Sequence, residues 1–165
     1  MITIIDSGGA NIASVQFALE RLGAESVLTK DVKIIQSADK VLLPGVGAAP
    51  IAMQNLAEYE LIDCIRGLTQ PVMGICLGMQ LLFAVSPEGN TPLLGIFDAD
   101  CETFTPAQGR SVPHLGWNRL SKQQDHPLLA GVDEGAPVYF VHSYFAPVTA
   151  QTIATTNYSD DFTAI

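Results

Sequence analysis

Pro71-Val-Met-Gly-Ile-Cys-Leu-Gly-Met-Gln80 runs from an apolar strand straight into a helical pattern, with Cys76 at the junction. A strand that turns sharply into a helix lifts the residue at the turn clear of its surroundings. Gly74 and Gly78, two residues to either side, let neighbouring backbone approach with no Cβ in the way. The stretch therefore reads as a strand and following helix of a β-α-β series, with one exposed thiol at the carboxyl end of the sheet. As a bare G-x-C-x-G pattern it equally fits a buried structural cysteine behind a glycine turn, because free cysteine is among the most buried residue types.

Upstream of this elbow, short β-rich runs alternate with helical spacing, the signature of β-α-β units and a parallel sheet. Residues 2–5 form an apolar strand run that ends in the turn Asp6-Ser-Gly-Gly-Ala10. Ile12, Val15, Leu19 and Leu22 then recur at three- and four-residue spacing, and Gly23 stops the helix. Residues 26–29 and 40–43 read as the second and third strands, the third ending at Pro44-Gly-Val-Gly47, and Leu61, Ile65 and Leu68 mark another helix. Residues 71–75 are the fourth strand. Beyond Pro87 the runs 101–104, 114–118, 138–145 and 152–157 read as strands with no long helices between them. The expected fold is α/β, a doubly wound, mostly parallel sheet with an antiparallel extension, in one domain over residues 1–165. The last residues, Asp161-Phe-Thr-Ala-Ile165, read as the opening of a strand. With no covering helix after it, the domain is expected to be incomplete at its C-terminus.

Composition bounds the chemistry. With 165 residues and 48% hydrophobic content, the chain can bury a core of its own. No apolar run approaches the roughly 18 residues of a membrane span, and Met1-Ile-Thr-Ile-Ile-Asp6 lacks the basic flank of a secretory signal, so the cytoplasm is the expected location. Three cysteines, Cys64, Cys76 and Cys101, at irregular spacing read as reduced thiols. A net charge of −9, with eight scattered Lys and Arg, disfavours nucleic acid and anionic membranes as partners. A small neutral or zwitterionic ligand stays open.

At a helix start, the unpaired N–H groups favour an anion on Cys76, and the backbone N–H of Leu77 is placed to donate to an oxyanion formed on a carbonyl that Cys76 attacks. Pro44-Gly-Val-Gly47 ends a neighbouring strand at the same sheet edge, so Val46 and Gly47 can supply a second donor. Gly45-x-Gly47-x-x-Pro50 lacks the third glycine of a dinucleotide fingerprint and follows the third strand, not the first. A cysteine hydrolase also needs a histidine set by a carboxylate. His114 and His142 have no acidic residue within two positions, and Asp125-His126-Pro127 reads as a surface turn. A structural role is the better reading for all three, and their scatter yields no metal site.

Pro44-Gly-Val-Gly47, Pro71–Gln80, His114-Leu-Gly-Trp-Asn118 and Tyr139-Phe-Val-His-Ser-Tyr144, in that order over the whole chain, resemble the class I (triad) glutamine amidotransferases. Within them the resemblance is to the glutaminase subunits of imidazole glycerol phosphate synthase in histidine biosynthesis. It implies that Cys76 attacks the side-chain amide of glutamine to form a thioester, with oxyanion donors at Leu77 and in the Val46–Gly47 loop. It assigns Gln80, Ser143 and Tyr144 to glutamine binding and places Asn11, Trp117 and Asn118 at the face of a partner. That partner is a (β/α)8-barrel cyclase subunit, which takes the ammonia and binds the phosphorylated substrate. No cofactor is implied. Apart from the resemblance, Asn11 reads as a turn cap and Trp117 as core filling. Family members complete the triad with a C-terminal Phe-His-Pro-Glu, and no His-x-Glu occurs in these residues. The chain is accordingly expected to be inactive or crippled as it stands. A non-catalytic, partner-binding subunit of the same fold is the alternative.

Overall fold

In the computed structural model, residues 1–8, 11–107 and 110–165 are described, and their contacts divide the chain into two compact units, Met1–Asp98 and Ala99–Ile165.

The first unit is built on β1 (Ile2–Ile5), α1 (Ile12–Arg21), β2 (Ser26–Thr29), α2 (Val32–Gln36), β3 (Lys40–Gly45), α3 (Ala49–Glu58), α4 (Ile62–Arg66), β4 (Val72–Cys76) and α5 (Leu77–Gln80), followed by the small hairpin β5 (Val85–Ser86) and β6 (Thr91–Pro92). The first four strands form a sheet in the order β2-β1-β3-β4, every pair parallel. From β1 the chain steps outward to β2, returns past β1 to β3 and continues to β4. With right-handed crossovers that reversal puts α1 on one face and the β2–β3 and β3–β4 connections on the other. In keeping with this, α2 contacts α4, and Gln70 Nε2 donates to the Ile35 carbonyl at 3.0 Å. Ile4, Ile5, Val41 and Leu43 from the sheet, Ile35, Leu56 and Ile65 from the helices, and Leu61 just before α4 are fully buried in the core. A doubly wound parallel sheet is what the alternation of strands and helices called for.

Four local features depart from the sequence reading. Helix α2 was not expected, because five residues carry no periodicity; Asp31 starts it by accepting from the N–H groups of Lys33 (2.8 Å) and Ile34 (3.3 Å). Helix α3 was also not expected, since its buried side is mostly alanine, Ala49 and Ala52 with Leu56, and gives a weak apolar signal. Leu22 is no part of the α1 stripe: the helix ends at Arg21, and Gly23, at φ +67°, turns the chain back so that Leu22 is 78% exposed. The third strand runs on through Pro44 and Gly45, which pair with Ile75 and Cys76.

The second unit is antiparallel, as expected for the extension. Its strands are β7 (Glu102–Thr103), β8 (His114–Arg119), β9 (Ser121–Lys122), β10 (Pro137–His142), β11 (Tyr144–Phe145), β12 (Ala154–Asn157) and β13 (Asp161–Thr163). They pair as β8 with β10, β7 with β11, and β9-β12-β13. The run expected as one strand over 138–145 is two, broken at Ser143, because β10 pairs with β8 and β11 turns to β7. One apolar cluster gathers Leu120, Leu129, Ile153 and Ala154, and another Phe104, Phe145 and Phe162, with the rings of Phe104 and Phe145 stacked 4.4 Å apart. No helix among the described residues is long and apolar enough to cross a membrane.

Candidate active site

Strand β4 delivers Cys76 beside Gly45 of β3, and the chain turns at the cysteine itself, with φ 57° and ψ −121°. A positive φ on a residue with a side chain stores about 1–3 kcal/mol and persists only where the surroundings impose it. The surroundings are glycine. A Cβ on Gly78 would lie 1.8 Å from the Leu43 carbonyl oxygen, one on Gly74 2.4 Å from Met79 Cα, and one on Gly45 2.6 Å from Gly78 N. Helix α5 can therefore settle directly against the ends of β3 and β4. The result is an exposed Cys76, while the other two thiols are buried. Burial pushes the Cys64 thiol up, and burial together with the charge of Asp100 pushes Cys101 up to about 12.

Leu77 is the first residue of α5, so its N–H belongs to the donors that a helix cannot satisfy internally. Val46 and Gly47 follow directly on Gly45 and so lie at the same edge as the elbow; Gly47 has φ +92° with open space around its Cβ position, a conformation few other residues would accept. The far side of this loop is fixed: Ala49 N, opening α3, donates to Glu88 Oε2 at 2.7 Å, an acid in the favourable place at a ten-residue helix start. The neighbouring loop after β1 is tied down by Asn55, whose Nδ2 donates to the carbonyls of Ser7 and Gly8, both at 3.0 Å. Gln80 is half-buried at the end of α5. Asn11 is exposed at the start of α1 and its side chain makes no capping bond to the first turn, contrary to the turn-cap reading.

In the second unit Ser143 lies at the break between β10 and β11. Its carbonyl accepts from Phe104 N (3.1 Å) and Thr103 Oγ1 (3.4 Å), and Tyr144 pairs with Thr103. His114 and His142 lie opposite each other on β8 and β10, with His114 Nδ1 3.0 Å from His142 Nε2. His142 Nδ1 is 2.9 Å from the Tyr144 carbonyl, and the Asn118 amide nitrogen is 3.4 Å from His114 Nε2 and 2.9 Å from the Asn157 carbonyl. His114 is 2% exposed, between the rings of Tyr158 and Phe140. Burial and the neighbouring imidazole lower its pKa to about 4, and burial lowers that of His142 as well. The contact between the two histidines was invisible in the sequence, because it depends on β8–β10 register.

The opposite face of the same two strands carries Leu115, Trp117, Tyr139 and Val141, all more than half exposed; Trp117 is 72% exposed and packs edge-on to Tyr139 at 5.5 Å. Trp117 therefore does not fill the core. Alternation in 114–119 puts Leu115 on one face with Trp117, whereas 138–141 is apolar throughout, so nothing in the sequence marks Tyr139 and Val141 as exposed. Asn118 faces the histidines, its Oδ1 accepting from Arg119 N at 2.8 Å.

A parallel sheet with a strained, exposed cysteine at a strand-to-helix elbow, and a glycine loop at the adjacent strand end, is the arrangement of α/β folds that present a side chain at the carboxyl edge of the sheet. Known proteins agree. The family model described as glutamine amidotransferase class-I matches residues 3–165. Imidazole glycerol phosphate synthase subunit HisH of Xanthomonas axonopodis pv. citri is 49% identical over 99% of this chain and 82% of its own length, and the subunit of the same name from Mannheimia succiniciproducens is 47% identical over 98% and 82%. Among solved structures, a crystal structure of a glutamine amidotransferase aligns with TM-score 0.68 at 18% identity, covering 94% of this chain and 84% of that one. The glutaminase domain of Trypanosoma brucei CTPS with bound acivicin aligns with TM-score 0.64 at 12% identity, covering 98% and 78%. The chain belongs to the class-I glutamine amidotransferases and, within them, to the HisH subunits of imidazole glycerol phosphate synthase.

Proposed function

We propose that this chain is the glutaminase subunit of an imidazole glycerol phosphate synthase, supplying ammonia for histidine biosynthesis. Its relatives carry the name imidazole glycerol phosphate synthase subunit HisH. The observation that carries the chemistry is Cys76, exposed and held at positive φ on the elbow. Its sulfur attacks the side-chain carbonyl carbon of glutamine, and the amide N–H groups of Leu77 and of the Val46–Gly47 loop hold the oxyanion. The carbon–nitrogen bond breaks, the thiol proton leaves with ammonia, and water then cleaves the thioester to glutamate and the free thiol. Each oxyanion donor contributes on the order of 3 kcal/mol to such a step. Gln80, Ser143 and Tyr144 hold the substrate glutamine.

Ammonia passes to a cyclase subunit, a (β/α)8 barrel, in a cytoplasmic heterodimer; three free cysteines suit that compartment. Trp117, Asn118 and Asn11 meet this partner, and the exposed apolar face of Leu115, Trp117, Tyr139 and Val141 supports the placement of Trp117. The test is labelling by a glutamine-like diazo-ketone followed by peptide mass spectrometry. The label is expected on Cys76 alone; label on Cys64 or Cys101 with Cys76 unmodified would sink the assignment.

A further inference from the structure

The contacts of His142 fix the protons of a whole chain of groups. A carbonyl only accepts, so His142 Nδ1, 2.9 Å from the Tyr144 oxygen, must carry hydrogen. In a neutral imidazole Nε2 is then bare, and His114 Nδ1, 3.0 Å away, must be the donor. That leaves His114 Nε2 to accept from the Asn118 amide, whose orientation is independently set: Nδ2 donates to the Asn157 carbonyl and Oδ1 accepts from Arg119 N. Every donor runs the same way, from Asn118 through His114 and His142 to Tyr144. Reversing any one of them sets two donors face to face.

The end of the chain is the turn at Ser143 and Tyr144. On its other side Phe104 N and Thr103 Oγ1 donate to the Ser143 carbonyl, and Tyr144 pairs with Thr103. We propose that His142, itself set by His114, is a positioning residue for glutamine: its Nδ1–H fixes the Tyr144 carbonyl and thereby the Ser143–Tyr144 turn that grips the substrate. This rests on the proposed role of Ser143 and Tyr144. His142 touches no reacting atom.

Two replacements separate this from a packing role. In His142→Asn the amide nitrogen occupies the place of Nδ1 and can still donate to the Tyr144 carbonyl, whereas in His142→Gln the amide lies one bond further out, near the place of Nε2, and cannot. Both lose the imidazole ring and its aromatic neighbours alike. Glutamine is titrated by calorimetry at pH 8 into the protein assembled with its cyclase partner, in a Cys76→Ser background to prevent turnover, and thermal melts are recorded for each variant. His142→Gln is expected to bind glutamine roughly tenfold more weakly, the scale of one lost hydrogen bond, with His142→Asn within about threefold of the parent. Equal loss in both variants, or loss in neither, overturns the proposal. Failure of the parent to bind glutamine overturns the functional reading beneath it.

Discussion

Cys76 adopts a backbone conformation that a side chain takes only under constraint, and the constraint comes from residues that have no side chains at all. Gly45, Gly74 and Gly78 let α5 lie against two strand ends, and each would place a Cβ inside 3 Å of backbone. Backbone cannot swing aside as the tip of a lysine can. Gly78→Ala, with its new methyl 1.8 Å from the Leu43 oxygen, is expected to lose more than ~3 kcal/mol of stability, read by urea unfolding, and to slow diazo-ketone labelling of Cys76 in whatever folds. Unchanged stability and labelling would mean that the elbow is not built on close packing. Gly47 differs: nothing crowds it, and its need is for φ +92° alone.

Among the elements, the β8–β10 pair does two jobs on two faces. One face exposes Leu115, Trp117, Tyr139 and Val141, and the other carries His114 and His142 against Phe104, Phe140, Tyr158 and Phe162. Tyr158 is the other titratable ring stacked on the pair. The unfolded chain takes up a proton on each histidine near pH 6.5, while the folded pair resists, His114 down to about 4. Between those values the unfolded state binds more protons, so stability rises with pH and is lost as pH falls from about 6.5 toward about 4. Trp117, the single tryptophan, sits on β8 and reports it directly. The urea midpoint followed by its fluorescence is expected to fall through that window. A His114→Phe, His142→Asn double variant should show a shallower slope; an identical slope would assign the whole dependence to carboxylates.

At the largest scale, residues 1–165 hold Cys76 on its elbow and three histidines, of which two are hydrogen-bonded to each other and His126 accepts from Leu128 N. Ammonia release from glutamine by these residues, assayed with the cyclase present, is expected to be at least ~10³-fold slower than by a protein that also carries a His-x-Glu pair, since acid–base catalysis contributes about 10²–10⁴-fold and here also activates the nucleophile. Comparable rates would make His114 or His142 the base and undo their reading as structural.

Four motifs in chain order carried the resemblance to the family, and the sequence by itself determined the four strands of the parallel half, the α1, α4 and α5 patterns, and the elbow with its thiol. Each depends on near neighbours: alternation, glycines two residues either side of a cysteine, a turn after a strand. It did not yield α2, which depends on one Asp31 cap, or α3, whose buried side is mostly alanine. The hydrogen-bonded pair of His114 and His142, the split at Ser143, the Glu88 cap on α3 and the apolar face around Trp117 were decided by tertiary structure alone. Each joins residues far apart in the chain or depends on which face of a ladder looks outward, and strand register, not local spacing, sets both.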